Sequence, residues 1–313
     1  MPLTGPGLDG ERCLLLDPPL ARTKALASRF GCDLAVPSST GLGNVLVYTR
    51  LVDDLARQLG RPLRLLTGPT RTFAGAVTDE APYPIWDENP HVGEVVDPTG
   101  TSDVVMSDVE LEQDNLCQFG HIIENLAFHY GIRPSALRPS LYLSRAEATL
   151  ALERLRHLPR PLICVHPYGT SSPQVGHPWH TTNWERLIAR LAPIGSIFEV
   201  GLDGFEDKAL GLPRFRTTIR EMLALVWACD LFVGFDSSIA HVATAFQRPA
   251  AVLWEPLRKV EIEERFQRGF AAAAVSRWGY PQNRNLVLLG DRGDEIIELI
   301  ERFAADQLHS MRR

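Results

Sequence analysis

The sequence predicts an α/β protein made of two doubly wound, parallel-sheet units with a cleft between them. Three observations lead there. Apolar runs of strand length alternate with amphipathic helical runs along most of the chain, the pattern of parallel sheets covered by helices on both faces. At 313 residues, with 45% hydrophobic and 22% charged residues, the chain has the size and balance of two globular domains. A Pro-bearing stretch, His157-Leu158-Pro159-Arg160-Pro161, interrupts the alternation midway and reads as a linker. It divides the chain into residues 1–158 and 159–293.

The elements follow in order. Leu34 to Pro37 is a short strand entering the turn Ser38-Ser39-Thr40-Gly41-Leu42-Gly43. Val45, Tyr48, Leu51, Val52, Leu55 and Leu59 then recur at helical spacing until Gly60 stops the helix. Pro62 to Thr67 and Asp103 to Met106 are strand candidates, and His121 to Tyr130 is helical, ending at Gly131. Ser144 caps the next helix, with Glu147 three residues on to complete a capping box. After the linker come strands at Leu162 to His166, Ile197 to Val200, Leu231 to Val233 and Ala250 to Trp254. Helices are expected at Asn183 to Leu191, Glu221 to Cys229 and Ile239 to Phe246. The last helix, Asp294 to Leu308, places Ile296, Ile297, Ile300, Phe303 and Ala304 on one face.

Charge and cysteine usage exclude several functions. The net charge is −6, and residues 1–158 carry the imbalance, with 14 basic residues against 20 acidic ones. Between Arg71 and Arg133 there is no Lys or Arg, while twelve acids run from Asp79 to Glu124. Such a segment repels polyanions, so nucleic acid is not an expected partner. The five cysteines are scattered without CxxC spacing, as in a reduced, cytoplasmic protein. The longest apolar stretch, near Met222 to Phe235, is broken by Asp230 and too short to span a bilayer. The N-terminus lacks the basic-then-apolar pattern of a secretory signal.

Four segments could carry chemistry. GLGNVL, from Gly41 and Gly43 through Asn44, is a Gly-rich turn at a helix start. It lacks the third glycine and the acid of the second strand that a nicotinamide site needs. The run Cys229 to Ser238 leaves a buried strand, turns, and enters a helix bearing His241. Asp236 falls near that helix start, where the amides of Ser237 and Ser238 would meet a phosphate; the plainer reading makes Asp236 only an N-cap. His166 to Gly169 ends another strand, and Val200-Gly201 leads into Glu206 and Asp207, acids suited to ribose hydroxyls. Three polar strand ends on one edge are where open α/β sheets hold nucleotides. His177 and His180 lack a third ligand at metal-binding spacing.

ACDLFVGFDSSIAHVATAFQRPAAVLW resembles the donor-site signature of the heptosyltransferase-like glycosyltransferases, family 9. GLGNVLVYTRLVDDLARQLG is similar to the family's first strand–turn–helix, and PIWDENPHVGEVVD to a later segment. GHIIENLAFHYGIRPSALRPSLYLSRAEA and HPYGTSSP…HPWHTTNWERLIARL match two further blocks in the family's order. Residues 1 to about 30 lie outside the likeness. The resemblance implies a GT-B fold, two Rossmann-like domains about a central cleft, with residues 294–313 crossing back to the first. It implies inverting transfer from a nucleotide sugar bound by the second domain, with no metal and no further cofactor. His166, Gly169, Thr170, His177, Gly201, Glu206, Asp236, Ser237, Ser238 and His241 would hold the donor, and Gly41, Gly43 and Asn44 the acceptor.

This chain departs from the family at three places. Asn44 stands where the family has a catalytic Asp, and an amide cannot take a proton from a hydroxyl. His177 replaces a phosphate-gripping Lys, and Ser238 replaces a Gly. A substitute base should lie in the first domain. Asp108, after the strand Asp103 to Met106, ranks ahead of Asp114 and His121. The acidic stretch points to a neutral or amine-bearing small-molecule acceptor, such as an aminocyclitol or another antibiotic precursor. The resemblance implies a heptose-class sugar on ADP or a similar nucleotide. The alternatives are a heptosyltransferase acting on lipopolysaccharide core or protein, a nucleotide-sugar-binding protein without transfer activity, and a non-transferase GT-B enzyme such as a sugar epimerase.

Overall fold

The computed structural model describes residues 27–36, 41–67, 84–96, 120–167, 179, 181–202, 210–254, 272–288 and 292–310. The chain divides into two compact units, Met1–Ser140 and Leu141–Arg313.

In the first unit β1 (Leu34–Val36), β2 (Leu63–Thr67) and β3 (Val92–Val96) form a parallel sheet in that order. Between β1 and β2 runs α1 (Leu42–Leu59), whose Val45, Leu46, Tyr48, Leu51 and Val52 are buried. Gly60 ends it at φ 67, a left-handed conformation that only glycine adopts without strain, and its amide bonds the carbonyls of Ala56 and Arg57. On α1 Thr49, Arg50, Asp53 and Asp54 are buried as well. Their burial is tolerated because three of them bond the segment that ends the unit. The Arg50 Nε donates to the carbonyl of Arg138 at 3.0 Å, Asp54 accepts from the Ser135 amide at 2.9 Å, and Thr49 Oγ1 from the Ser140 amide at 2.9 Å. α2 (Ile122–His129) packs on α1. The expected strand at Asp103 to Met106 lies outside the described residues. β3 was not expected: VGEVV is half exposed and shows no clean alternation.

The second unit opens with α3 (Arg145–Leu155), capped as expected by Ser144, whose Oγ accepts from the Glu147 amide at 3.2 Å. Then follow β4 (Leu162–His166), α4 (Thr181–Leu191), β5 (Ser196–Leu202), β6 (Arg214–Thr217), α5 (Ile219–Ala228), β7 (Leu231–Phe235) and α6 (Ser238–Ala245). β8 (Ala250–Trp254), β9 (Arg284–Val287) and α7 (Gly293–Ser310) complete it. The six strands are all parallel in the order β6-β5-β4-β7-β8-β9. This is the doubly wound order, reversing between β4 and β7. On one face Trp184, Leu187 and Leu191 of α4 join Ile296, Ile297, Ile300, Ala304 and Leu308 of α7 over Val165, Val233 and Leu253. Each such burial contributes about 1.5–3 kcal/mol. α5 and α6 cover neighbouring strands, α5 against β5 and β6, α6 against β7 and β8.

By its contacts the chain divides after Ser140, and α3 packs on α5 of the second unit. Arg220 of α5 grips Glu147 of α3 through two bonds of 2.6 Å and donates to the Tyr142 carbonyl at 3.0 Å. That guanidinium holds the Glu147 carboxyl down at about 2. His157 to Pro161 therefore joins two elements of one unit. The last helix packs on α4 and β7. Its apolar face, read correctly from the sequence, is consumed by Trp184 and Leu187.

Candidate functional site

The site grows from the place where the strand order reverses. β4 and β7 are neighbours there, and His166, last in β4, is in register with Gly234 of β7. Loops leaving such adjacent strands diverge to opposite faces and open a crevice at their carboxyl ends. Gly234 is required by this approach. A Cβ on it would stand 2.6 Å from Phe232 Cζ and 2.8 Å from the His166 carbonyl oxygen. The oxygen belongs to a paired strand and cannot retreat cheaply. Gly234→Ala should therefore part β4 from β7, lowering stability by about 1–3 kcal/mol, as read by denaturant melts.

Beyond β7 the chain turns through Asp236, whose amide still bonds the Leu253 carbonyl at 3.1 Å. The N-cap of α6 is Ser237, with extended backbone, so Asp236 sits one position earlier and is not the cap. The Ser237 side chain makes no capping bond, and its Oγ is buried without a hydrogen-bond partner among the described residues. A cap serine normally accepts from an amide of the first turn. Here that bond is unmade, so the first-turn amides, the helix dipole and a buried hydroxyl converge at one point. Such a point suits an anion.

Partial burial shapes the electrostatics around it. Burial pushes the His166 imidazole down to about 4, with the nearby Arg214 adding to the shift and a bond to the Val200 backbone opposing it. Desolvation pushes the Asp236 carboxyl up to about 7. His166 is thus neutral near neutral pH, and Asp236 is half-protonated there, so neither brings a full charge against an anion. His241, in the second turn of α6, is buried, and its Nδ1 is hydrogen-bonded to the Tyr280 hydroxyl. Across the sheet Arg214 lies over Gly201, where a Cβ would stand 2.9 Å from its Nη2.

The structure thus brings together His166, Asp236, Ser237, Ser238 and His241, and places Gly201 on neighbouring β5. Gly169, Thr170, His177 and Glu206 lie outside the described residues, as do Asp108 and Asp114. In the first unit Gly41 is the exposed N-cap of α1, with Gly43 and Asn44 in its first turn. His121 is the N-cap of α2: its Nδ1 accepts from the Ile123 amide at 3.2 Å, Glu124 closes the capping box, and the residue is buried. That nitrogen is engaged in holding a helix end. Tyr280 and Arg214 were not foreseen. The first sits in WGYPQN, a cluster of aromatic and amide residues that could have drawn notice; the second lies in RFRT, which reads as exposed edge. Among the described residues no three His, Cys, Asp or Glu are grouped to hold a metal ion, and no helix is long and apolar enough to cross a membrane.

Residues 206–281, which include the whole turn from Gly234 to His241 and Tyr280, match the model of glycosyltransferase family 9 (heptosyltransferase). That segment is similar to the family 9 glycosyltransferases. No curated protein matches the chain by sequence. Among solved structures, a family 9 glycosyl transferase from Veillonella parvula is 13% identical at a TM-score of 0.60, covering 88% of this chain and 97% of its own. The ADP-heptose LPS heptosyltransferase II of E. coli is 14% identical at a TM-score of 0.55, over 89% of this chain and 99% of that one. TibC, an iron-containing dodecameric glycosyltransferase of enterotoxigenic E. coli, is 15% identical at a TM-score of 0.51, over 89% and 76%. These likenesses establish the GT-B fold expected from the sequence. The family 9 match falls on the anion-ready end of α6.

Proposed function

We propose that this protein is an inverting glycosyltransferase that moves a heptose-class sugar from an ADP-linked donor to a hydroxyl of a neutral or amine-bearing acceptor. The observation that carries the reading is the uncapped start of α6 at the β4–β7 reversal, inside the family 9 segment. There the diphosphate would accept from the amides after Ser237 and from the Ser237 hydroxyl. As the bond from anomeric carbon to diphosphate breaks, negative charge grows on the departing oxygen, and preorganised amides stabilise it. Asp236 in its protonated form can donate a hydrogen bond without repelling that charge, and neutral His166 adds no charge against it. The acceptor oxygen attacks the opposite face of the anomeric carbon and gives its proton to a carboxylate, for which Asp108 is the first choice. The anomeric configuration inverts.

The nucleotide is taken as ADP because the E. coli relative is named for an ADP-heptose donor. The acceptor class rests on the twelve acids and absent Lys and Arg between Arg71 and Arg133. A phosphorylated acceptor would meet repulsion there, and an amine attraction.

A thermal-shift screen of ADP, GDP, UDP and dTDP tests the donor half. At a hundred times its dissociation constant, one of them should stabilise the protein by about 2.7 kcal/mol, a rise of several degrees in midpoint. ADP should lead. A flat screen across all four would remove the donor site from this helix end.

A further inference from the structure

Behind the first turns of α6 lies a buried polar cluster that the anion-binding argument does not use. Tyr280 follows the helical segment 272–278 and precedes β9. It is 2% exposed, and its hydroxyl is hydrogen-bonded to Nδ1 of His241, which is 5% exposed. The two rings meet edge-on, 5.4 Å apart at 86°, and Trp278 stands edge-on to the same imidazole at 6.2 Å. Tyr280 is itself pinned: its carbonyl accepts from the Asn283 amide and from Asn285 Nδ2, each at 3.0 Å. Asn283 Nδ2 in turn donates to Thr244 Oγ1, one turn beyond His241, at 2.8 Å. A segment anchored at this many points sets the phenol against the imidazole in one geometry.

Packing alone would be served by phenylalanine. A buried hydroxyl is costly unless it is bonded, so its presence has to be accounted for. A neutral imidazole has one N–H, and the bond made by one ring nitrogen decides what the other can do. The phenol keeps its proton, since burial and the neighbouring Asp236 push its ionisation well above the ordinary 10. It can therefore donate to an unprotonated Nδ1.

We propose that Tyr280 is a positioning residue: it donates to Nδ1 of His241, holds the tautomer protonated at Nε2, and so directs an N–H toward the diphosphate of the nucleotide donor. Side chains on a helix lean toward its N-terminus, and the His241 amide bonds the Ser237 carbonyl one turn back. The ring therefore leans over the turn that holds the anion. The opposite tautomer would turn a lone pair on that anion. This inference rests on the donor-site reading above.

Tyr280→Phe keeps the ring and removes only the hydroxyl. Titration with ADP should show affinity reduced about fivefold in this variant, the scale of one hydrogen bond. His241→Ala should lose at least as much, and the double variant no more than His241→Ala alone, because Tyr280 acts only through the imidazole. Nitrogen-15 spectra of labelled histidine should show His241 with a bare Nδ1 in the parent and mixed tautomers in Tyr280→Phe. Unchanged affinity and spectrum in Tyr280→Phe, additive losses in the double variant, or an Nδ1-protonated parent would each overturn the proposal. Should the parent bind no ADP, the donor-site reading fails and the tautomer spectra decide the role of Tyr280 alone: loss of the single tautomer in Tyr280→Phe upholds it, and no change defeats it.

Discussion

Asp236→Asn is expected to stabilise the protein at pH 8 by on the order of 4 kcal/mol and to change little at pH 4. The folded chain holds this carboxyl at about 7 by desolvation, against an ordinary 3.8. Between those values the folded state keeps a proton that the unfolded state releases. The native carboxyl therefore lowers stability progressively as pH rises from about 4 to 7, and the full cost persists above. Asparagine removes it. His166 runs the other way: held at about 4 against 6.5, it refuses a proton that the unfolded chain accepts, so its contribution improves as pH rises through that window. In the parent the two slopes oppose each other. In Asp236→Asn the His166 slope stands uncovered, and denaturant melts at stepped pH should show stability climbing from pH 4 to 6.5. A variant whose curve merely parallels the parent's would refute the argument. Binding adds a second readout. An ionised Asp236 repels a bound diphosphate, so the ratio of variant to parent affinity for ADP should rise as pH passes 7. Taking the ratio cancels the ionisation of the phosphate itself.

Asp108→Asn is expected to slow transfer by about 10²–10⁴-fold while leaving ADP affinity within roughly twofold. The sequence needs a base that Asn44 cannot be. Of the three candidates ranked for it, His121 spends its Nδ1 on the Ile123 amide at the start of α2. Two carboxylates remain. A general base acts on the acceptor proton, so its loss should fall on kcat and spare the nucleotide. Quenched-flow or coupled nucleotide-release assays on Asp108→Asn and Asp114→Asn separate the two. Full turnover in the first with collapse in the second would transfer the role to Asp114, and full turnover in both would place the base outside this acidic run.

Much of the fold was legible because its signals are local. Gly60 stops α1, Ser144 with Glu147 starts α3, and the stripe of Ile296, Ile297 and Ile300 identifies α7 from spacing alone. The central strands β4, β7 and β8 are buried on both faces and read as continuous apolar runs. The strands missed, β3, β6 and β9, all lie at sheet edges, and Arg216 of RFRT and Arg284 of RNLV are exposed. The attachment of α3 to α5 was not legible for a different reason. Prolines at 159 and 161 look like a linker, while the contact that decides the matter, Arg220 with Glu147, spans 73 residues. The site divides in the same way. Asp236, Ser237 and His241 lie in one contiguous motif and could be read. Tyr280 reaches His241 from 39 residues away, through a fold that no spacing rule anticipates.

The attachment of α3 to the half that follows it has a practical bearing on dissection. A fragment beginning at residue 159 would deprive Arg220 of Glu147 and uncover the face of α5 on which α3 packs. One beginning at 141 carries its own cover. Domain exchange that joins residues 141–313 to a foreign first half should therefore place its seam immediately after Ser140.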